Sequence, residues 1–329
     1  MHSGAGIMRR AIGNSYDRLM AAALVRGAAA AYGDERGMSA WARAQGCDAC
    51  EVFREEKTDT LGFAAATEER VFVVFRGTRD LRNWMTDLDC RRVNVAPQLC
   101  AGREIANCKL SIANFQSPLE VHEGFWAALG AVWEDLNVIL DKIAPGRAEI
   151  FFAGHSLGGA LAMLACARWE SQKAKGEMHK STESGSGFSL QPSAFSLSSW
   201  LYTFGQPRVG NAAFAAWYDA HEEPQMDADK RGFDPCPSVS IRGSNLKARS
   251  FRIVHAEDIV PRVPWLLNCY RHAGTEIFHD ALGAEHVDWP WWRKAPGDVF
   301  GTLAEWRAAG RVALLGDHKV GTYVEILKS

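Results

Sequence analysis

Glu149-Ile150-Phe151-Phe152-Ala153-Gly154-His155-Ser156-Leu157-Gly158-Gly159-Ala160 runs from a strand-like apolar segment, through a glycine-flanked serine, into an apolar helical run. The pattern is G-x-S-x-G in a strand–turn–helix setting, which holds a serine on a sharp turn. So sharp a turn strains the backbone of the serine, and a side chain two positions to either side would clash. Glycine at 154 and 158 answers that constraint. The turn lifts the Ser156 hydroxyl out of the sheet and sets it at a helix N-terminus, where free N–H groups and the helix dipole favour developing negative charge. The bland alternative is a chance match in a glycine-bearing turn. The flanking strand and helix weigh against it.

Outward from this turn, short β-rich runs alternate with longer helical ones, which predicts an α/β fold with a largely parallel sheet. Strand candidates are Leu61–Ala66, Val71–Phe75, Glu149–Ala153, Leu201–Phe204 and Phe251–His255. Phe125, Leu129, Val132, Trp133, Leu136, Ile139, Leu140 and Ile143 recur at steps of three and four, one apolar face of a long helix. Further helices are expected at about 157–170 and 211–221, with an amphipathic one over 15–32. The chain reads as a single domain over 1–329 with two surface excursions. Residues 171–199 are rich in Ser, Gly and Lys without periodicity, and 222–248 carry charges and three prolines.

Composition narrows the function classes. The 329 residues are 47% hydrophobic and 23% charged, ordinary for a globular protein, and 37 basic against 39 acidic side chains leave a net charge of −2. That balance supplies no global pull toward nucleic acid or acidic membranes. The longest run free of polar and charged residues, Leu157–Ala167, is 11 residues and too short to span a bilayer. Arg9 and Arg10 precede small apolar residues as in a targeting signal, but Asp17, Arg18 and Arg26 interrupt the apolar stretch, so nothing demands export. The compartment stays open. Among eight cysteines, Cys166 reads as core, and Cys47 and Cys50 form a lone C-x-x-C. Zinc needs about four ligands and no second pair matches, leaving a disulfide as the other reading.

A serine at neutral pH needs a base, and the base an orienting acid. In enzymes with this turn both follow the serine, acid before base. Asp258 stands just past the strand candidate Phe251–His255, with Glu257 as its neighbour and alternative. Order excludes His155 and His255 as the base, and local physics does not choose among His272, His279, His286 and His318, the last of which is followed by a β-like run, Gly321–Leu327.

Five segments together resemble the fungal-type (class 3) lipase family, its bacterial members especially. They are Val74–Thr78 with Asn83-Trp84 and Asp87-Leu88; Val121–Phe125; Gly154–Ala160; Tyr202–Asn211; and Asp258–Pro264. The resemblance covers most of the chain and implies an α/β-hydrolase-type fold, a mostly parallel central sheet flanked by helices. It implies Ser156 as nucleophile, Asp258 as acid and His318, followed by Tyr323, as base, with His272 outside the triad. It also implies an oxyanion hole from Leu157 and Thr78, and a lid over Arg79–Val95 with Trp84 against substrate. Trp265 and Leu266 after the acid, with Leu267 and the cluster Trp289, Trp291 and Trp292, are other apolar candidates near the cleft.

The function these residues imply is hydrolysis of carboxylic esters through an acyl-enzyme, on acylglycerols or similar lipid esters, with a lipid–water interface as partner. The chemistry calls for no metal and no organic cofactor. Feruloyl esters or phospholipid acyl groups would suit the same scaffold, since acyl-pocket shape does not show in motifs. A lipase-like protein that binds without turnover is the alternative from another class, and a complete triad argues against it.

Overall fold

A computed structural model describes residues 16–78, 90–100, 118–182, 197–219, 246–256, 258–264, 270–289 and 318–328. Among them, eight strands form one sheet in the order β1 (Ala49–Glu55), β2 (Thr60–Ala66), β3 (Arg70–Phe75), β6 (Glu149–His155), β7 (Ser198–Phe204), β8 (Ser250–His255), β9 (Thr275–His279), β10 (Glu285–Val287). The run β3-β6-β7-β8-β9 is parallel, and antiparallel hairpins extend it at both edges. Strands β4 (Arg92–Asn94) and β5 (Glu120–His122) form a separate antiparallel ribbon.

The apolar runs of β3 and β6 arise because both sheet faces are covered, as parallel strands require. Val71, Val73, Phe75, Ile150 and Phe152 point into one core, while Phe72, Val74, Phe151 and Ala153 point into the other. The first core is closed by the helices Glu123–Ile143 and Leu157–Thr182, the first of which buries the predicted stripe from Phe125 to Ile143. The second is closed by the helices Arg18–Ala30, Glu35–Ala44 and Val320–Ile326. Asp17 caps the first of these, its Oδ1 accepting from the N–H groups of Leu19 and Met20 at 2.9 and 3.1 Å.

Two expectations change. Gly321–Leu327, β-like in sequence, lies in the helix Val320–Ile326 and its final turn. Val320, Tyr323, Val324 and Leu327 recur at helical spacing and pack on the second core, which overrides their β propensity. The expected loop 171–199 begins as helix, continuous to Thr182, and ends in strand β7; residues 183–196 lie outside the described residues. Tertiary anchors hold that polar stretch. The Ser171 hydroxyl donates to the Leu99 carbonyl at 2.6 Å, and Lys173 donates to the Leu197 carbonyl at 2.7 Å. Of the excursion 222–248, residues up to 245 lie outside the described set, and Leu246 is fully buried. Among the described residues no helix is long and apolar enough to cross a membrane.

Candidate active site

Strand β6 ends at His155 and a helix begins at Leu157, leaving Ser156 alone on the turn with φ of +58°. Few non-glycine residues occupy that left-handed region, and doing so costs about 1–2 kcal/mol. The close approach expected for the flanking glycines is present. A Cβ on Gly154 would stand 2.2 Å from the Gly158 carbonyl oxygen, and one on Gly158 would stand 2.4 Å from that of Phe75. Ser156 is only 1% exposed, and its Oγ has no hydrogen-bond partner among the described residues. Its N–H donates to the Phe204 carbonyl at 2.9 Å, fixing the turn against the end of β7.

Asp258 follows the end of β8 and is 1% exposed. Its Oδ1 accepts from the Val260 N–H at 2.8 Å. Its Oδ2 accepts from His318 Nδ1 at 2.6 Å and from the Tyr323 hydroxyl. Donation from Nδ1 leaves Nε2 of His318 with its lone pair, and Nε2 has no hydrogen-bond partner among the described residues. The His318 ring lies against His155, the residue before Ser156, with centroids 4.6 Å apart.

The other three candidate histidines lie outside the Asp258 pair. His272 Nε2 is 2.6 Å from the Pro261 carbonyl. His286 pairs with Asp280 at 2.9 Å. His279 is fully buried, and burial, with Arg18 and His255 nearby, lowers its pKa to about 4. Glu257, the alternative to Asp258, lies outside the described residues.

Tyr323 marked the last block in sequence only by its place after the histidine. The structure places it directly on the acid, fully buried, with burial and the Asp258 carboxylate keeping its phenol protonated. A buried tyrosine on the inner face of an apolar helix was the available signal.

Gly205, at the end of β7, has φ of +59°. A Cβ there would lie 2.6 Å from Asp258 Oδ2 and 2.8 Å from His318 Cε1. Gly205→Ala is therefore expected to push the acid–base pair apart, lowering kcat on a soluble ester by roughly 10²-fold or more and Tm by about 2–5 °C. Wild-type kcat in the alanine variant would show that the pair is not held as described.

Strand β3 runs parallel to β6 with Phe75 beside Gly154, so the two chains leave the sheet side by side. A Cβ on Gly77 would come within 3.1 Å of Ser156 Cβ, which sets the half-buried Thr78 close to the serine. Leu157 opens the helix, and an amide at the first helical position has no carbonyl a turn earlier in the helix to bond. A serine, a carboxylate-held imidazole and such amides are the parts that acyl transfer needs.

Trp84, Trp265, Leu266, Leu267, Trp291 and Trp292 lie outside the described residues. The segment expected as a lid is tied down at its far end: Arg92–Asn94 pairs with β5, Val95 is fully buried, and the Tyr270 hydroxyl donates to the Cys90 carbonyl at 3.2 Å. Trp289 packs edge-on to Phe278 and against His286. Cys47 and Cys50 are free thiols, and burial pushes Cys47 up to about 12.

The family model described as lipase (class 3) matches residues 72–268. The chain is similar to the secreted mono- and diacylglycerol lipase A of Penicillium cyclopium, 29% identical over 225 residues, covering 67% of this chain and 52% of that protein. It is also similar to the lipase of Rhizomucor miehei, 29% identical over 242 residues, covering 70% and 50%. The chain thus spans about half the length of these relatives. In fold it resembles the crystal structure of an N225Q mutant of the Penicillium cyclopium enzyme, with a TM-score of 0.53 at 24% identity, covering 87% of this chain and 88% of that one. This likeness is one of the α/β-hydrolase type.

Proposed function

The chain belongs to the class 3 lipase family, and from that premise we propose that it hydrolyses carboxylic esters of lipids, acylglycerols foremost, through an acyl-enzyme on Ser156. One observation carries the reading: Ser156 sits on a left-handed turn directly after His155, and against the His155 ring stacks the buried imidazole of His318, whose Nδ1 is held by a buried carboxylate. His318 takes the proton of the Ser156 hydroxyl as it attacks the ester carbonyl, and Asp258 stabilises the imidazolium that forms. The tetrahedral oxyanion is met by the N–H groups of Leu157 and Thr78, with the Thr78 hydroxyl as a further donor. The imidazolium then protonates the leaving alcohol, and water activated by the same histidine releases the fatty acid.

The relatives' names point to glycerides, and a panel of chromogenic esters of increasing chain length, run beside emulsified triglyceride, tests the proposal. Hydrolysis rising with acyl length is expected. A folded protein that cleaves no ester would refute it. Within Arg79–Val95, the part before the anchored end at Cys90–Val95 serves as the lid, with Trp84 its apolar contact. Trp84→Ala then slows hydrolysis of emulsified long-chain triglyceride far more than that of a soluble short-chain ester, and a proportional drop on both substrates would reject the lid.

The Thr78 hydroxyl is open to a direct test. Loss of one oxyanion donor lowers kcat by roughly 10²–10³-fold with little change in KM. Thr78→Val, which keeps shape but removes the hydroxyl, should show that loss, and Thr78→Ser should be mild. Equal kcat in Thr78→Val and wild type would confine the donation to the backbone N–H.

A further inference from the structure

The acyl-transfer scheme gives no task to the buried histidine next to the nucleophile. His155 is 3% exposed, directly precedes Ser156, and stacks on His318 with the ring planes 29° apart. Its Nδ1 lies 2.8 Å from the hydroxyl of Tyr32, which stands beyond the end of the first helix and meets the His155 ring edge-on at 5.8 Å. The His155 ring also meets Tyr323, the hydroxyl partner of Asp258, in a T-shaped contact with centroids 5.7 Å apart. One imidazole thus touches the base, the tyrosine that binds the acid, and a hydroxyl from the N-terminal part of the chain.

We propose that Tyr32 and His155 are positioning residues for His318: Tyr32 holds the His155 ring by Nδ1, and that ring fixes the plane in which His318 turns its Nε2 toward Ser156. The proposal rests on the reading of His318 as the general base.

The direction of the Tyr32 bond follows from its surroundings. Burial pushes the phenol well above its usual range, so it keeps its proton, with Arg76 and the Gly77 N–H only partly offsetting the rise. With the Gly77 amide directed at the Tyr32 oxygen, the hydroxyl hydrogen is left for His155 Nδ1. That bond selects one tautomer and one ring orientation. Burial and the neighbouring His318 lower the pKa of His155 well below normal, so the imidazolium formed on His318 during attack meets a neutral face and no second positive charge. Tyr32 is also confined on its other side. A Cβ on Gly77 would come within 2.0 Å of its hydroxyl, so the tyrosine is packed against the backbone that leads into Thr78.

A purely structural role would lower stability and leave the chemistry per folded molecule unchanged. Tyr32→Phe and His155→Phe each keep an aromatic ring in place and delete the bond between them. In the full chain, each should lower kcat on a soluble short-chain ester by roughly 10-fold, with KM within about twofold of wild type, because the lost quantity is orientation of a catalytic group. Turnover is expressed per site titrated with an organophosphonate, and Tm is measured beside it, which removes unfolded protein from the comparison. Because both changes break one contact, the double variant should be no slower than the slower single one. Multiplying effects would mean that Tyr32 acts through Gly77 alone, and wild-type kcat in Tyr32→Phe would overturn the proposal outright. Should His155→Phe fail to fold, the kcat of Tyr32→Phe and its rate of phosphonate inactivation carry the decision. A wild-type protein that takes up no phosphonate would instead refute the serine-hydrolase reading itself, a separate failure.

Discussion

Replacing His318 with alanine is expected to lower ester turnover by roughly 10⁴–10⁶-fold, the scale on which loss of a triad base is felt. The size follows from what remains. Ser156 would keep its turn, and the oxyanion donors would keep their places, but no group would remove the serine proton or supply one to the leaving alcohol. The contrast with other histidines is the informative part. His286, on the β9–β10 hairpin, bonds Asp280 at 2.9 Å and has no part in the Asp258 network, so His286→Ala should keep near-wild-type kcat. His272→Ala should keep most of it, with some loss of stability, because its Nε2 lies 2.6 Å from the Pro261 carbonyl in the segment after Asp258. Turnover that survives in His318→Ala but vanishes in a folded His272→Ala would move the base elsewhere.

Ser156→Ala and Ser156→Gly should both lose turnover, by roughly 10⁵–10⁶-fold, yet differ in stability. The serine's φ of +58° is borne with a Cβ in place, and alanine carries the same burden. Glycine does not. Its freedom at positive φ should make the glycine variant more stable than the alanine one by about 1 kcal/mol, or roughly 2–4 °C in Tm. An alanine variant as stable as the glycine one would mean that the turn stores no strain. Inactive and stabilised is the combination expected where backbone strain is kept for function.

The nucleophile turn was legible in sequence because its constraints are local: a strand, two obligatory glycines and a helix within a dozen residues. Asp258 was half legible, since chain order placed an acid near the end of β8 but did not separate it from Glu257. His318 was not legible from local physics. Its bond to Asp258 joins residues 60 apart, and nothing around it distinguishes it from His272, His279 or His286. Family resemblance supplied that choice. The edge strands Ala49–Glu55 and Glu285–Val287 carry no strand signal in sequence because they are partly exposed and lack the apolar runs of β3 and β6. The helix Val320–Ile326 reads as β-like in sequence because Val, Tyr and Ile favour strands, while its helical spacing gains meaning only against the N-terminal helix. Tyr32 and His155 meet across 123 residues, a contact that no motif announces.

The most direct measurement is the site of covalent capture. An organophosphonate with a medium acyl-like chain, followed by proteolysis and mass spectrometry, should place one adduct per chain on the peptide carrying Ser156, formed slowly in His318→Ala and absent in Ser156→Ala. An adduct on another residue that persists unchanged in Ser156→Ala would contradict Ser156 as the nucleophile and, with it, the acyl-enzyme route.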